Sequence, residues 1–567
     1  MEVMKMFLKP DFKPAILSSL KDYSFAKFRS DLVAGIVVGI VALPLAIAFA
    51  IASGVSPTVG LVTAIIGGFI VSAFGGNSVQ IGGPTGAFIV IVYNIIQLYG
   101  LQGLAMATFM AGCILLLMGL FHLGTVIKFI PYPIVVGFTA GIAVTIFSTQ
   151  MPDFFGLSIG EAVPGDFIGK WAVYCRYFNT IDLPTLVTGV VSLIVIILTP
   201  KISKRLPGAL TAIVLVTIAV WCLHQFTDIQ GIQTIGDRFG DLSPRFPAPH
   251  AIGLNMESVN LLLPSAFTIA MLGAIESLLS ATVADGRTGD RTNCNTELIG
   301  QGLANVVVPF FGGIPVTGAI ARTMTNITNG GKTPIAGIIH SVVLLLIFLF
   351  AMSLINLVPM ACLAAVLIMV SYNMSGWRTV IGIANNPKGD FAVLVVTFLL
   401  TVIFNLTIAI EIGLLLAVVV FLRRITENTT IRVYGEQLDA ADGTDLSRHE
   451  VLDLRPGVSV YEIDGPFFFG AATKFDEIVR LSLQEKPKVR IIRMRKVPFI
   501  DSTGIHNLQL LIESSHREGI LVVLSGVRDN VRADLHKAGI DKLVGEEHIC
   551  DHISKAVIAA NALVSNN

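Results

Sequence analysis

Apolar stretches of about 20 residues, each long enough to cross a bilayer as a helix, recur over the first three quarters of the chain. The pattern predicts fourteen spans in two sets of seven. The first set lies near 33–52, 58–74, 84–98, 103–120, 126–147, 183–198 and 207–223. The second lies near 261–284, 296–311, 317–328, 335–355, 357–372, 391–404 and 406–422. Only 14% of the residues are charged, against roughly 25% in soluble proteins, so the fold class is a polytopic α-helical membrane protein.

One short segment occurs twice, at the third span of each set. The two copies read Gly82-Gly83-Pro84-Thr85-Gly86-Ala87 and Gly312-Gly313-Ile314-Pro315-Val316-Thr317-Gly318-Ala319. An extended stretch that leads into a helix start leaves backbone N–H groups unpaired at the positive end of the helix dipole. An odd number of spans per repeat gives the two repeats opposite orientations. We therefore predict an anion site between two helix starts that face each other.

The distribution of lysine and arginine predicts the orientation. Lys201, Lys204, Arg205, Arg287, Arg291, Lys332, Arg378, Lys388, Arg423 and Arg424 all fall in loops that lie inside if the N-terminus is inside. By the positive-inside rule, both termini then lie on the cytoplasmic side of the membrane, which we expect to be the inner membrane. Residues 1–30 form a basic cytoplasmic segment without the features of a signal peptide.

The last quarter of the chain is charged and looks soluble. Alternating strand and helix patterns fall near 458–463, 471–484, 489–494, 520–525, 528–538 and 554–563, and Asp501-Ser502-Thr503-Gly504 starts one further helix. The pattern predicts a transmembrane domain over 31–426, with repeats 31–226 and 260–426, and a small cytoplasmic α/β domain over 430–567.

Several segments together resemble SulP-family anion transporters. They are Asp31-Leu-Val-Ala-Gly35, Leu43-Pro44 with Phe49, Pro57 with Gly60-Leu61, Gly83-Pro84-Thr85, Gly273-Ala274-Ile275-Glu276-Ser277, Glu297-Leu-Ile-Gly-Gln-Gly302, and Arg322 with Gly330-Gly331-Lys332-Thr333. The C-terminal region resembles a STAS domain, chiefly at the Asp501-Ser-Thr-Gly504 turn. The resemblance implies a seven-plus-seven inverted repeat split into core and gate domains, a site between the third and tenth spans, and a homodimer. It also implies sulfate, bicarbonate or a C4-dicarboxylate as the substrate.

Two charged residues inside the spans are the strongest candidates for function. Arg322 follows Gly318 by four residues, which predicts a position on the same helix face and a cation beside the anion. The alternatives are an arginine that snorkels to the membrane edge or pairs with a carboxylate. Glu276 lies mid-span without a compensating base nearby in sequence, so we expect it to take up H⁺ or Na⁺, or else to make a structural bond or pair with Arg322.

The resemblance implies further substrate-binding and coupling residues besides Arg322 and Glu276. It implies substrate binding by Phe49, Thr85, Gly86, Ala87, Thr317, Gly318, Ala319 and Arg322, and coupling to H⁺ or Na⁺ by Glu276, Ser280 and Thr317. Na⁺ is the one metal ion implied, because hydroxyl and carboxylate oxygens suit a hard cation. Leu45 stands where some members carry glutamine, so we expect no polar substrate contact there. Phe49 is equally compatible with ordinary core packing.

Three further motifs favour structural roles. Glu297 is expected to be a structural cap rather than a second coupling site. Gly330-Gly331-Lys332-Thr333 resembles the end of a phosphate-binding loop, but Asn326 stands where that motif needs glycine. Ser502 and Thr503 are expected to cap a helix, with phosphorylation as the alternative.

We therefore predict a symporter of small oxyanions in the inner membrane, with a passive anion channel or an anion exchanger of the same fold as the alternatives. Catalytic patterns are absent from the spans and the net charge of zero gives no nucleic-acid footprint, so an enzyme and a nucleic-acid partner are not expected. The expected partners are the substrate anion, the lipid bilayer, a second copy of the chain and a cytoplasmic regulator at the STAS domain.

Overall fold

The computed structural model describes residues 12–125, 131–161, 163–203, 207–226, 231–242, 244–253, 256–385, 387–404, 406–434, 437–439, 451–470 and 487–565. The chain divides into two compact units, Met1–Leu415 and Leu416–Asn567. The division falls inside a helix that begins at Leu406. Residues 1–11 of the basic segment, the bases Lys204 and Arg205, and the helix predicted over 471–484 lie outside the described residues.

The part of the chain before residue 227, which includes predicted repeat 31–226, is helical. Its helices are α1 (Ala15–Ser19), α2 (Phe25–Ala52), α3 (Pro57–Phe74), α4 (Ile89–Leu120), α5 (Tyr132–Thr149), α6 (Met151–Phe155), α7 (Phe167–Arg176), α8 (Leu183–Ile202) and α9 (Gly208–Phe226). A 3₁₀ turn, Gly86–Phe88, precedes α4 and another, Phe178–Thr180, follows α7. Gly100 breaks α4 with a φ of 68°, so the predicted third and fourth spans join as one helix with a sharp bend.

The part of the chain from residue 231 to the end of predicted repeat 260–426 follows the same plan. Its helices are α10 (Ile235–Phe239), α11 (Met256–Thr288), α12 (Cys294–Val307), α13 (Ile320–Thr328), α14 (Ile335–Ile355), α15 (Met360–Ser375), α16 (Trp377–Ala384), α17 (Lys388–Ile403) and α18 (Leu406–Asn428). A 3₁₀ turn, Val308–Phe311, continues α12. Each predicted span therefore contains a helix. Within the described ranges, nine helices are long and apolar enough to cross a membrane by themselves.

The helices of the first unit pack in two groups. In the first group α12 packs on α3 and α4, α11 packs on α4, and α14 packs on α2 and α3. In the second group α15 and α17 pack on α5, and α8 packs on α9 and α15. Glycine lets the backbones of the first group approach closely: a Cβ on Gly112 of α4 would lie 2.6 Å from the main-chain nitrogen of Val306 in α12. This grouping fits the core and gate division that the resemblance implies.

Two short strands, β1 (Gly82–Gly83) and β2 (Thr317–Gly318), lie at the third and tenth spans of the first unit. The remaining strands belong to the C-terminal unit. They are β3 (Thr430–Tyr434), β4 (Gln437–Asp439), β5 (Val451–Asp453), β6 (Val458–Asp464), β7 (Val489–Lys496), β8 (Leu521–Ser525) and β9 (Ile549–Cys550).

The C-terminal unit is a mixed sheet with helices, in agreement with the predicted α/β domain. Five strands lie in the order β3-β6-β7-β8-β9, with β3 antiparallel and the others parallel. The helices are α19 (Ser502–Arg517), α20 (Asp529–Lys537), α21 (Ile540–Val544) and α22 (Ile553–Ser565). Asp501 caps α19, since its Oδ1 accepts a 2.7 Å hydrogen bond from the Gly504 nitrogen. The expected capping by Ser502 and Thr503 is therefore wrong, because both residues lie inside the first turn of α19.

Candidate functional site

The two interrupted segments pair with each other. β1 and β2 form an antiparallel ladder in which Gly82 lies opposite Gly318 and Gly83 lies opposite Thr317. The nitrogen of Ala319 extends the pairing with a 2.9 Å hydrogen bond to the Ile81 carbonyl. Because a helix start follows each strand within a few residues, both helix N-termini lie next to this two-stranded sheet.

Glycine is required where the segments meet. Gly83 has a φ of 155°, a conformation that other residues rarely adopt. A Cβ on Gly83 would also overlap with Nη1 of Arg322, and a Cβ on Gly318 would overlap with the amide of Gln80. The repeated glycines therefore make room for two polar side chains.

Arg322 connects the two segments. Its side chain is 1% exposed, and Nη2 donates a 2.7 Å hydrogen bond to the main-chain carbonyl of Pro84. Nη1 is buried and has no hydrogen-bond partner among the described residues. Gly318 lies in β2, and α13 begins only at Ile320, so the predicted shared helix face with Gly318 is wrong. Arg322 reaches the segments because it lies in the first turn of α13.

Glu276 lies beside the first of the two helix starts. It belongs to α11, and its Oε2 accepts a 2.9 Å hydrogen bond from the hydroxyl of Thr85, the residue that precedes the 3₁₀ turn. The resemblance implies that Thr85 binds substrate and that Glu276 binds the coupling cation, so this hydrogen bond connects the two groups of residues. Glu276 as a whole residue is half-buried.

The other two implied coupling residues have different partners. Thr317 donates a 2.8 Å hydrogen bond to the Gly273 carbonyl, and Ser280 donates a 3.3 Å hydrogen bond to the Thr323 hydroxyl. Neither is hydrogen-bonded to Glu276 in the part of the chain that the structure describes. The structure thus joins Glu276 to Thr85 rather than to Ser280 and Thr317.

Apolar side chains from both helix groups surround Gly86. A Cβ at this position would lie 3.1 Å from Sδ of Met374, 3.2 Å from Cδ1 of Ile146 and 3.4 Å from Cε1 of Phe49. Phe49 and Gly86 belong to the first group, whereas Ile146 and Met374 lie on α5 and α15 of the second. Sequence analysis missed Ile146 and Met374, because both are ordinary apolar residues within long spans. Ala87 and Ala319 are buried next to the helix starts.

Glu297 is held by five donors. Its carboxylate accepts hydrogen bonds from the nitrogens of Gly76 (2.8 Å) and Asn77 (3.1 Å) and from the side chains of Gln80 (2.9 Å), Gln301 (2.8 Å) and Ser277 (3.2 Å). These donors come from the loop after α3, from α11 and from α12. The arrangement supports the structural interpretation of Glu297, since its lone pairs are already used to join three elements.

The segment that resembles a phosphate-binding loop binds a carboxylate of the same chain. Asp31 accepts hydrogen bonds from the Lys332 nitrogen at 2.7 Å, the Thr333 nitrogen at 3.2 Å and the Thr333 hydroxyl at 2.5 Å. Two of the segments that carry the family resemblance are therefore in contact, and the donors of this loop join α2 to the start of α14.

Comparison with known proteins covers both units. Residues 28–397 match the sulfate permease family and residues 451–556 match the STAS domain. The chain is 41% identical to YvdB of Bacillus subtilis (strain 168), named as a candidate sulfate transporter, over 94% of this chain and 98% of that protein. It is 30% identical to the bicarbonate transporter BicA of a Synechocystis species, over 94% of each chain.

Solved structures match the fold. The murine solute carrier 26 family member A9 anion transporter, in an inward-facing state, superposes with a TM-score of 0.85 at 20% identity, over 99% of this chain and 95% of that one. The transmembrane domain of a cyanobacterial BicA gives a TM-score of 0.59 at 29% identity, over 70% of this chain and 98% of that one.

Proposed function

Because this chain belongs to the sulfate permease family, we propose that this anion transporter is a secondary active symporter of a small oxyanion. One observation carries the proposal: the pairing of β1 with β2 brings both interrupted segments and Arg322 to one place. Helix N–H groups and an arginine that are buried within a membrane have no bulk water to pair with, and an anion supplies the acceptors that they lack.

The anion is held by Arg322 and by the N–H groups of the two helix starts. Nη1 of Arg322 is buried beside Gly83 and is available to donate. The first three N–H groups of a helix have no partner within it, so those of Gly86 and Ala87 and those at Ile320 and Ala321 add donors. Each hydrogen bond to a charged group contributes about 1.5–3 kcal/mol, enough for a few of them to replace part of the anion's hydration.

The coupling cation is taken up by Glu276. Glu276 accepts a hydrogen bond from Thr85 at the start of the first half-helix. The charge of the Glu276 carboxylate therefore acts directly on an anion bound at that helix start. A proton or Na⁺ at Glu276 removes the repulsion between the carboxylate and the substrate, which makes the binding of anion and cation mutually favourable.

Movement of the two helix groups against each other gives access from either side. The apolar contact around Gly86 includes side chains of both groups: Phe49 in the first, Ile146 and Met374 in the second. A displacement between the groups would open this apolar contact on one side and close it on the other. In this proposal the anion travels with the first group, which holds both helix starts.

Sulfate, bicarbonate and C4-dicarboxylates are the substrate classes to test. The purified protein is reconstituted into liposomes, and uptake of each labelled anion is measured with and without a Na⁺ gradient at two pH values. The proposal expects concentrative uptake of at least one oxyanion that depends on an inward H⁺ or Na⁺ gradient. Absence of flux with every anion contradicts the function, and flux only against a counter-anion replaces symport with exchange.

We also propose cytoplasmic termini, a homodimer and a regulatory STAS domain. Cys175 is exposed on α7 in a predicted outer loop, and Cys550 belongs to the C-terminal unit. In cells that express single-cysteine variants, a membrane-impermeant maleimide should label Cys175 and leave Cys550 unlabelled until the membrane is opened. The reverse pattern contradicts the orientation. Cross-linking in the membrane tests the dimer.

A further inference from the structure

A polar cavity of about 500 Å³ lies at the end of the first helix group where α2 begins and α3 ends. Its walls come from α1, the start of α2, the loop after α3, the loop between α11 and α12, and the residues before α14. We call it the cationic pocket. Its charged lining residues are Lys13, Lys27, Arg291, Lys332, Asp285 and Asp290.

The two carboxylates of the cationic pocket already have donors from the same chain. Asp285 accepts from the Asn77 side chain at 3.3 Å and from the nitrogen and hydroxyl of Thr292 at 2.9 and 2.7 Å. Asp290 accepts from the Ser78 hydroxyl at 2.9 Å. Within the described residues, Lys27, Arg291 and Lys332 form no salt bridge. The four bases exceed the two acids, and at least three of the bases are available to a ligand.

The walls of the cationic pocket are fixed by main-chain hydrogen bonds. The Ala15 nitrogen donates to the Gly75 carbonyl at 2.9 Å, and the Asn293 nitrogen donates to the Gly76 carbonyl at 3.3 Å. The Lys13 nitrogen donates to the Thr296 hydroxyl at 3.1 Å. These bonds hold α1 and the loop before α12 against the end of α3, so the bases are gathered before any ligand binds.

Apolar side chains lie next to the pocket in sequence and are exposed. Phe25, two residues before Lys27, is 81% exposed, and Leu17, one residue before a pocket serine, is 60% exposed. Basic residues beside exposed apolar ones at the end of membrane spans are typical of a surface that meets phospholipid headgroups and the acyl chains below them.

We propose that the cationic pocket binds a phosphate group, supplied in the bilayer by the headgroup of an anionic phospholipid. Phosphate matches the pocket because it offers several acceptor oxygens to the Arg291 guanidinium and to the lysine ammonium groups. The site is separate from Arg322 and Glu276, and the inference does not rest on the proposed transport mechanism.

The test uses the full-length protein, purified in detergent and depleted of lipid. Native mass spectrometry measures binding of dioctanoyl phosphatidylglycerol, dioctanoyl phosphatidylcholine and inorganic phosphate in separate arms. The pocket variant is Lys27→Gln/Arg291→Gln/Lys332→Gln. The matched control is Lys21→Gln/Arg29→Gln/Arg287→Gln, which removes three exposed bases that do not line the pocket. Single Arg291→Gln and Lys332→Gln variants serve if the triple variant does not fold.

We expect the wild-type protein and the control to bind phosphatidylglycerol at least about tenfold more tightly than phosphatidylcholine, and the pocket variant to lose that preference. If inorganic phosphate binds as tightly as the lipid and depends on the same pocket bases, the result supports the phosphate site and assigns it to a soluble ligand. Equal loss in the control and pocket variants, or no loss in either, overturns the proposal.

Discussion

Nη2 of Arg322 donates a 2.7 Å hydrogen bond to the carbonyl of Pro84, 238 residues earlier in the chain. The bond crosses from the second interrupted segment to the first, and Nη1 of the same guanidinium lies against Gly83 without a partner among the described residues. One nitrogen of Arg322 therefore joins the two segments, and the other is the donor that we propose for the anion.

Substitution of Arg322 by lysine should impair transport. A lysine ammonium is a single point charge and cannot bond Pro84 with one nitrogen while it presents another to the anion. We expect uptake by Arg322→Lys proteoliposomes to fall at least about tenfold, chiefly through a raised KM, which corresponds to about 1.4 kcal/mol of lost binding. Arg378→Lys, at an exposed arginine stacked on Trp377, is the control and should transport normally. Unchanged kinetics in Arg322→Lys would exclude a substrate contact.

Alanine at Gly83 should act through Arg322. The added Cβ overlaps with Nη1, and the φ of 155° is strained for alanine. We expect Gly83→Ala to lower uptake at least about tenfold and to lower the melting temperature, because the guanidinium and the strand both have to move. Gly253→Ala is the control: an added Cβ there has no neighbouring heavy atom within 4 Å, so this variant should behave as wild type. Equal activity of the two variants would show that the guanidinium position is unimportant.

The interrupted segments could be found from the sequence, but their contacts could not. Gly, Pro and Thr at matching positions predict two broken helices, because these residues act on their local backbone. The approach of Arg322 to Pro84, and the walls that Ile146 and Met374 add around Gly86, depend on packing between distant spans. The wrong prediction for Gly318 has the same origin, because a spacing of four residues places two side chains on one face only within a helix, and tertiary pairing holds Gly318 in a strand.

Glutamine at Glu276 should uncouple transport from its driving gradient. Glutamine resembles the protonated acid and can still accept from Thr85, so substrate binding should persist. We expect Glu276→Gln to lose gradient-driven accumulation while it retains counterflow exchange of the labelled anion. Both activities are measured on the same proteoliposomes. Concentrative uptake at the wild-type rate and with the wild-type cation dependence would remove Glu276 from coupling.

Glutamine at Glu297 should affect stability before it affects coupling. The carboxylate accepts five hydrogen bonds, and a glutamine amide turns two hydrogens toward donors that need an acceptor. Each buried donor left unsatisfied costs about 1–3 kcal/mol, so the melting temperature in detergent should fall clearly. Glu427→Gln removes an exposed ion pair with Arg423 and should change stability little. A fully stable Glu297→Gln variant that cannot use the cation gradient would instead assign Glu297 to coupling.

Tyr23 should give a pH-dependent contribution to stability at alkaline pH. Burial, together with the nearby Asp31 carboxylate, raises the pKa of Tyr23 from 10 to about 12. The folded state therefore favours the neutral phenol, which donates to Asp31 at 3.2 Å, and this contribution is complete below pH 10 and lost as the pH rises through about 12. The difference in melting temperature between wild type and Tyr23→Phe should be constant from about pH 8 to 10 and shrink above it. A difference that does not change up to pH 12 contradicts the linkage.

The sequence predicts the helices and strands better than it predicts the contacts within the site. The apolar runs locate a helix in every predicted span, because burial in lipid demands about 20 apolar residues wherever a helix crosses. The C-terminal strands Val458–Asp464 and Val489–Lys496 were equally clear from their apolar patterns. The bend at Gly100 could not be predicted, since a glycine between two apolar runs is as compatible with a loop as with a kink.

A structure of the protein with its transported oxyanion bound is the most direct test of anion binding between the two helix starts. We predict density for the anion within hydrogen-bond distance of Nη1 of Arg322 and of main-chain nitrogens at both helix starts, near Gly86 and Ile320. Density at another place in the first unit, with Arg322 still bonded only to Pro84, would contradict the site and the mechanism built on it.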